Sequence, residues 1–133
     1  MPPDDPSAQT VVSPRRVLII DDHPDTAASL AVLLSANGHH ARATRSAFAA
    51  FHALAAFDPD VCLVDLRMPL MDGFETAIRL RVILGPHVRI MAITGELRAA
   101  ADPRAEELFE RVFAKPLDVG ELLRAIVDAP PVG

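Results

Sequence analysis

Short apolar runs alternate along this chain with longer stretches in which apolar residues recur every three or four positions. The runs at 17–20, 61–64 and 88–93 are nearly continuous in apolar residues, which is typical of strands buried on both faces of a sheet. Weaker runs at 39–44 and 112–114 complete a set of five. Because strands and helical stretches alternate, the pattern predicts an α/β fold in which five helices cover both faces of a doubly wound, five-stranded parallel sheet.

Two helix beginnings are marked by local signals. Ser46 is of the residue type that caps helix N-termini, and the stretch after it places Phe48 and Phe51 on one apolar stripe. Asp118 and Glu121 have the spacing of a capping box in front of the last helix.

The stretch 95–110, between the fourth and fifth strands, is less regular. Asp102 and Pro103 are suited to an N-cap and a first helical position, because proline lacks the N–H that would be unpaired there. A short helix with Leu108 and Phe109 on its apolar face is therefore expected before the fifth strand.

The length of 133 residues allows one domain that buries roughly two-thirds of its unfolded surface without a metal or disulfide. The Pro-rich, polar segment 1–15 is predicted to be a flexible leader. Residues 16–129 form the predicted domain, and 130–133 are expected to be a tail or the stump of a linker.

The charge balance argues against several function classes. The net charge is −5 and the chain has no basic block, so nucleic acid is not expected as a partner. No apolar run approaches the ~20 residues of a membrane span, so no membrane association is expected. The single cysteine, Cys62, excludes a disulfide framework. With no secretory signal pattern at the N-terminus, a cytoplasmic location is expected.

Polar residues follow four of the five predicted strands. The first strand stops at Asp21 and Asp22, the third at Asp65, the fourth at Thr94 and the fifth at Lys115, the only lysine among 13 basic residues. In an open parallel sheet, ligands bind beyond the carboxyl ends of the strands. Three carboxylates, a hydroxyl and an ammonium are therefore expected at one edge.

This combination of groups indicates phosphoryl transfer to a carboxylate. Two carboxylates ~4 Å apart repel by about 4 kcal/mol at an effective dielectric constant of 20, so a cluster of three needs protons or a cation. Clustered carboxylate oxygens suit Mg²⁺. A carboxylate such as Asp65 can act as the nucleophile, while Lys115 and Thr94 are suitable partners for phosphoryl oxygens. Taken singly, each of these residues also fits an ordinary turn or strand end.

Four stretches carry a resemblance to a known family. They read Val-Leu-Ile-Ile-Asp-Asp at 17–22, Asp-Leu-Arg-Met-Pro-Leu-Met-Asp-Gly at 65–73, Ile-Thr-Gly at 93–95 and Lys-Pro-Leu at 115–117. In these motifs, their order and their separations, the chain resembles the receiver domain of two-component response regulators from about residue 16 to 128. The resemblance implies a flavodoxin-like sheet with strand order 2-1-3-4-5.

The resemblance also implies a metal site and a phosphoacceptor. Asp65 would be the phosphoacceptor. Mg²⁺ would be held by Asp21, Asp22, Asp65 and the backbone carbonyl of Arg67. His23 follows the acidic pair and is expected to lie at a helix start rather than to bind metal.

Further roles follow from the same resemblance. Thr94 would be a switch hydroxyl, Lys115 would bind phosphoryl oxygens or pair with Asp65, and the bond before Pro116 would be cis. The donor would be a phosphohistidine on a sensor histidine kinase or a histidine phosphotransfer protein. Such a chain is not an enzyme but a switch that assists its own phosphorylation and dephosphorylation. It is expected to be a monomer or weak dimer, and the sequence does not identify a downstream protein partner.

The chain departs from the family at the switch. Receivers often carry Tyr or Phe at the position of Val112, and a Gly at the position of Leu108. Phe113 is adjacent, but strand alternation predicts that it points to the opposite face of the sheet.

Two variable positions, Arg67 and Glu96, are expected at the rim of the site. They either form a salt bridge that slows the attack of water on the phosphoryl group, or are separate solvated side chains worth little as a pair.

Two other interpretations stay open. The chain could be a pseudo-receiver, an interaction module that is never phosphorylated, although the full set of acidic, hydroxyl and lysine residues argues against this. A phosphatase of the haloacid dehalogenase type would need an aspartate where Arg67 stands. Because one helix follows Pro116, we expect either a stand-alone receiver or one excised from a larger protein such as a hybrid kinase.

Overall fold

The computed structural model describes residues 13–128, in which five strands and six helices alternate. In chain order the elements are β1 (Arg16–Ile20), α1 (Pro24–Ala36), β2 (His40–Thr44), α2 (Ala47–Ala53), β3 (Val61–Asp65), α3 (Gly73–Leu84), β4 (Arg89–Thr94), α4 (Leu97–Ala100), α5 (Arg104–Leu108), β5 (Val112–Ala114) and α6 (Val119–Val127). Most of the predicted leader and the predicted tail lie outside the described residues. Within residues 13–128, none of the helices combines the length and apolar character needed to cross a membrane.

The five strands form one parallel sheet in the order β2-β1-β3-β4-β5. This is the predicted doubly wound arrangement, and strand order reverses between β1 and β3. Ile20 of β1 pairs with Val64 of β3, and Asp65 at the end of β3 pairs with Ile93 of β4. The register therefore brings the ends of β1, β3 and β4 to the same edge of the sheet.

Alternation along the strands divides the core into two layers. Leu18 and Ile20 face one layer, where α2, α3 and α5 cover the sheet. Val17 and Ile19 face the other layer, which is covered by α1 and α6. All four side chains are fully buried. Apolar burial on both faces explains why the strands are apolar at every position rather than at every second one.

Helix α2 differs from the sequence prediction in the face it buries. Its buried residues are Ala47, Ala50 and Ala53, whereas Phe48 is 56% exposed. Phe48 instead contacts Phe51 edge to face, with ring centroids 6.4 Å apart. The predicted stripe was wrong at Phe48, because small alanines let this short helix lie close to the sheet where a ring would not fit.

The segment between β4 and β5 forms two short helices rather than one. Helix α4 buries no residue, and α5 begins after Pro103, where the Asp102 carboxylate accepts the Arg104 N–H at 2.9 Å. The second helix ends at Leu108, so Phe109, which was expected on its apolar face, lies beyond the helix. Phe109 then continues in extended conformation, and its ring packs against Phe74 of α3. Between β4 and β5, therefore, α5 packs against the core through Ala105, whereas α4 buries no residue.

Candidate functional site

Two buried carboxylates lie side by side at the carboxyl edge of the sheet. Asp65 is the last residue of β3, and Asp21 directly follows the neighbouring strand β1. Their residues are only 2% and 1% exposed, while the Asp22 side chain is 29% exposed at the cleft. The acidic cluster predicted from the strand ends is therefore present, and the adjacency of β1 and β3 creates it.

The loop from Leu66 to Asp72 is held by its two ends. At Gly73 a Cβ would lie 2.5 Å from the backbone oxygen of Asp65 and 2.6 Å from the Leu66 Cα, so only glycine fits this approach. Asp72 caps α3 by accepting the Glu75 N–H at 2.9 Å. These contacts fix the loop beside the carboxylate of Asp65.

Lys115 reaches the acidic cluster from the end of β5. Its Nζ donates to Asp21 Oδ2 at 3.2 Å and lies 3.5 Å from Asp65 Oδ2. The Lys115–Pro116 peptide bond is cis, as the resemblance implied. The only lysine of the chain is therefore the cation placed between two buried carboxylates.

The two buried carboxyl groups have pKa values displaced in opposite directions. Burial raises the pKa of Asp65 to about 6, and the charge of Asp21 adds to this, against the hydrogen bond from the Arg67 amide. Burial also acts to raise the pKa of Asp21, but hydrogen bonds from His23 and the charge of Lys115 outweigh it and lower that pKa. The ionised form of Asp21 is thus stabilised by its neighbours, whereas the ionised form of Asp65 is destabilised by burial.

His23 lies at the start of α1, as expected, and its side chain, which is 64% exposed, contacts the open side of the acidic cluster. Its Nδ1 is 3.0 Å from Asp21 Oδ1, 3.4 Å from Asp22 Oδ1 and 3.7 Å from Asp65 Oδ2. Asp21 and Asp22 raise the pKa of His23, mainly through the hydrogen bond with Asp21. The only sequence signal was its position immediately after the acidic pair.

The donor set fits a divalent cation. Asp22 Oδ1 and Asp65 Oδ2 are buried oxygen atoms without a hydrogen-bond partner among the described residues. One ligand atom from each of Asp21, Asp22, His23 and Asp65 lies within 4.8 Å of all the others. Opposite ligands of an octahedral ion with bonds of about 2.1 Å are roughly 4.2 Å apart, so small side-chain movements suffice to enclose one ion.

The hydroxyl of Thr94 is engaged within its own loop. Thr94 Oγ1 accepts the Glu96 N–H at 3.0 Å and donates to the Glu96 backbone oxygen at 3.3 Å. The side chain is buried at the end of β4, at the expected edge of the sheet, and no hydrogen bond links it to Asp65. The site thus holds this hydroxyl in an arrangement stabilised by the loop that leads into α4.

The side chains of Arg67 and Glu96 form an ion pair across the mouth of the site. Both side chains are largely exposed, at 65% and 44%. Together with Met68 and Pro69 they line an open cleft of about 720 Å³ above the acidic cluster. The two side chains are thus paired, and the effect of the pair on the attack of water stays a prediction.

Val112, which stands where receivers often carry Tyr or Phe, and the adjacent Phe113 face opposite sides of the sheet, as strand alternation predicts. Val112 is half-buried and packs against the core layer beneath α3 and α5. Phe113 is buried in the opposite layer with α1 and α6. The Phe113 ring therefore lies on the wrong face of the sheet to replace the missing aromatic at 112.

Sequence comparison assigns the chain to one family. Residues 17–127 match the response regulator receiver domain. The chain is 31% identical over 117 residues to the sensory/regulatory protein RpfC of Xanthomonas campestris pv. campestris, covering 85% of this chain and 16% of that protein. It is 30% identical over 113 residues to the receiver protein CpdR of Brucella abortus, covering 84% of this chain and 93% of CpdR. The chain therefore spans a small part of one relative and nearly all of the other.

Solved structures give the same assignment for the fold. A CheY-like receiver domain from Methylobacillus flagellatus superposes with a TM-score of 0.76 at 26% identity. The match covers 86% of this chain and 99% of that domain.

Proposed function

The chain belongs to the response regulator receiver family, and we propose that it is a switch in which Asp65 accepts a phosphoryl group from a phosphohistidine. Receiver domains accept phosphoryl groups from histidine kinases or histidine phosphotransfer proteins, and either is a suitable donor here. A P–O bond forms to a carboxylate oxygen of Asp65 while the P–N bond of the donor breaks. The departing imidazole keeps the electron pair of the broken bond.

The observation that carries this proposal is the state of Asp65 Oδ2. This oxygen is buried and lacks a hydrogen-bond partner in the part of the chain that the structure describes, and it lies 3.5 Å from the Lys115 ammonium. The open cleft above it leaves room for a donor. A buried carboxylate oxygen without a partner is costly in a purely structural role, so its retention favours a chemical one.

Mg²⁺ is the proposed cofactor. Asp21, Asp22, Asp65 and the backbone carbonyl of Arg67 would hold it, and the Arg67 N–H already donates to Asp65 Oδ1 at 3.1 Å. The ion supplies positive charge that offsets the charge on the phosphoryl oxygens. Lys115 donates to Asp21 and lies 3.5 Å from Asp65 Oδ2, where its ammonium is available to those oxygens.

The output step is proposed to run through Thr94. Turning its hydroxyl towards a phosphoryl group on Asp65 breaks the hydrogen bond with the Glu96 N–H, immediately before α4. Because α4 buries no residue, little packing opposes its movement. With Val112 in place of an aromatic, the proposed signal travels through this backbone segment, and a partner would read the surface formed by α4, α5, β5 and α6.

Intact mass spectrometry after incubation with a small acyl phosphate tests the proposal. Wild type with Mg²⁺ is expected to gain one phosphoryl group, and both Asp65→Asn and wild type in EDTA are expected to gain none. Asp25→Asn is a matched control, since Asp25 is an exposed aspartate on the first turn of α1.

Two outcomes would contradict the proposal. A wild type that gains no adduct and shows no response to beryllofluoride would be a pseudo-receiver. Repeated hydrolysis of simple phosphomonoesters that depends on Asp65 would instead indicate the phosphatase alternative.

A further inference from the structure

We propose that His23 is a ligand of the divalent cation at this site and shifts the preference of the site from Mg²⁺ towards cations that bind imidazole, such as Co²⁺ or Zn²⁺. The inference rests on the cation site of the proposed function and adds a nitrogen donor to it.

The position of the imidazole supports this role. Its Nδ1 lies between 3.0 and 3.7 Å from one oxygen of each of Asp21, Asp22 and Asp65. Neighbouring ligands of an octahedral ion with bonds of about 2.1 Å are roughly 3.0 Å apart and opposite ones about 4.2 Å. All three separations lie within these limits, so the nitrogen, on a side chain that is 64% exposed, has the spacing of a ligand at the open side of the cluster.

The carboxylates leave their oxygens available on the side that His23 faces. Lys115 binds Asp21 through Oδ2, while Asp21 Oδ1 faces His23 and hydrogen-bonds with its N–H and Nδ1. Asp22 Oδ1 and Asp65 Oδ2, which also face His23, have no hydrogen-bond partner within residues 13–128, and Asp65 is 2% exposed. Two unpartnered oxygens that converge on one imidazole nitrogen are the donor set of a metal site with mixed ligands.

The backbone holds His23 in place without using its side chain. The residue occupies the N-cap position of α1, its own N–H donates to Asp21 Oδ1 at 2.9 Å, and its side chain makes no capping hydrogen bond. Pro24 at the first helical position restricts the backbone that follows. The ring therefore stands over the cleft at no cost to the helix.

Donor chemistry predicts which cations gain from this ligand. Mg²⁺ prefers oxygen ligands and keeps several waters, so an added imidazole contributes little to its binding. Co²⁺ and Zn²⁺ accept imidazole readily. Removal of the ring is thus expected to lower the affinity for Co²⁺ and Zn²⁺ more than the affinity for Mg²⁺.

Calorimetric titration of the full chain with Co²⁺ and, separately, with Mg²⁺ tests the inference. His23→Ala is expected to lower the Co²⁺ affinity about tenfold or more and the Mg²⁺ affinity less than about twofold. His87→Ala is the matched control, since His87 is exposed in the loop between α3 and β4, and both of its affinities are expected to equal those of wild type.

Proton NMR of the Co²⁺ form supplies a direct signature. Wild type and His87→Ala are expected to show a hyperfine-shifted, exchangeable imidazole N–H resonance that His23→Ala lacks. His23→Gln retains a side chain able to hydrogen-bond with Asp21 but has no imidazole nitrogen, and it is expected to behave as His23→Ala does.

The outcomes separate this inference from the proposed function. Equal losses of Co²⁺ and Mg²⁺ affinity would overturn it, because His23 would then act by positioning Asp21. Unchanged Co²⁺ affinity in His23→Ala, or wild-type Co²⁺ affinity in His23→Gln, would also overturn it. Failure of wild type to bind either cation would remove the cation site itself, and with it the Mg²⁺ part of the proposed function.

Discussion

The amino and carboxyl edges of the sheet differ in how completely their buried charged side chains are paired. At the amino edge, Arg89 makes two hydrogen bonds to Glu110, at 2.9 and 2.6 Å, and donates to the backbone oxygens of Ala125 and Ile126. At the carboxyl edge, by contrast, one buried oxygen of Asp65 has no hydrogen-bond partner among residues 13–128. One edge pairs its buried charges and the other leaves one under-compensated.

Two neighbouring residues at the amino edge form further hydrogen bonds. Arg15 donates to the backbone oxygens of Ile126 and Val127 at the end of α6. The Arg16 N–H donates to Asp60 at 2.8 Å. These hydrogen bonds connect α6 and the loop before β3 to the sheet, whereas the buried carboxylate at the other edge is available to a ligand. The comparison teaches that removing a charge has opposite effects on stability at the two edges.

The largest expected effect is at the amino edge. Arg89→Ala leaves Glu110, whose side chain is only 12% exposed, without its partner and removes one hydrogen bond to each of two carbonyls of α6. Loss of one member of a buried pair costs about 3 kcal/mol, so the free energy of unfolding is expected to fall by that amount in urea titrations. Arg79→Ala, which breaks an exposed pair with Glu75 on α3, is the control, with a change below about 0.5 kcal/mol. Equal effects of the two variants would remove the contrast between the edges.

Asp65→Asn is expected to raise the free energy of unfolding, the opposite of the effect of Arg89→Ala. The ionised carboxylate of Asp65 costs stability because its pKa is raised to about 6. Each pKa unit corresponds to 1.36 kcal/mol, so removal of the charge is expected to stabilise the metal-free protein by about 2 kcal/mol at pH 7.5, allowing for burial of the amide.

The pH dependence of that effect sharpens the test. Between pH 3.8 and about 6, the folded state holds a proton on Asp65 that the unfolded state has released. Wild-type stability relative to Asp65→Asn therefore falls as pH rises through this window and is constant above it. Urea titrations in EDTA at pH 4.5, 5.5 and 7.5 measure the difference, and a difference independent of pH would contradict the assignment.

His39 gives a smaller pH effect of the other sign at the amino edge. It is buried and its Nδ1 accepts the Arg15 N–H at 3.0 Å. Burial lowers the pKa of His39, and the charges of Arg15 and His40 lower it further. Below pH 6.5 the unfolded state takes up a proton that the folded state does not, so this residue's contribution to stability is lost as pH falls.

His39→Gln, which keeps a hydrogen-bond acceptor, is the variant that isolates this contribution. Its deficit in stability relative to wild type is expected to shrink between pH 7.5 and pH 5.5 when thermal unfolding is followed by circular dichroism. A deficit that grows as the pH falls would reverse the assignment.

The smallest expected effect concerns the ion pair between Arg67 and Glu96. Both side chains are largely exposed, and such pairs are worth about 0.2 to 1 kcal/mol. Arg67→Ala is expected to raise the rate of aspartyl phosphate hydrolysis by no more than about fivefold and to leave stability within about 0.5 kcal/mol. Release of phosphate after the donor is removed measures the rate, and an unchanged rate would mean that the pair does not shield the phosphoryl group.

Much of the site was predictable because the carboxyl ends of parallel strands lie side by side at one edge of the sheet. Asp21, Asp65, Thr94 and Lys115 each follow an apolar run, and the fold places all of them at one edge. His23 was expected at a helix start and is the N-cap of α1, but its contacts with the carboxylates were not foreseen. Strand periodicity carries no information about a side chain in the turn after a strand. Its contacts depend on the backbone angles at the start of α1.

What the sequence by itself determined is the α/β class, the strand order implied by the resemblance, and the set of polar groups at the carboxyl edge. These follow from continuous apolar runs and from where those runs stop, which are properties of local order along the chain. The tertiary structure alone decided that Phe48 lies at the surface, that the helix before β5 splits, and that Arg89 pairs with Glu110. Each of these depends on the space left between elements that are distant in sequence, and periodicity does not encode that space.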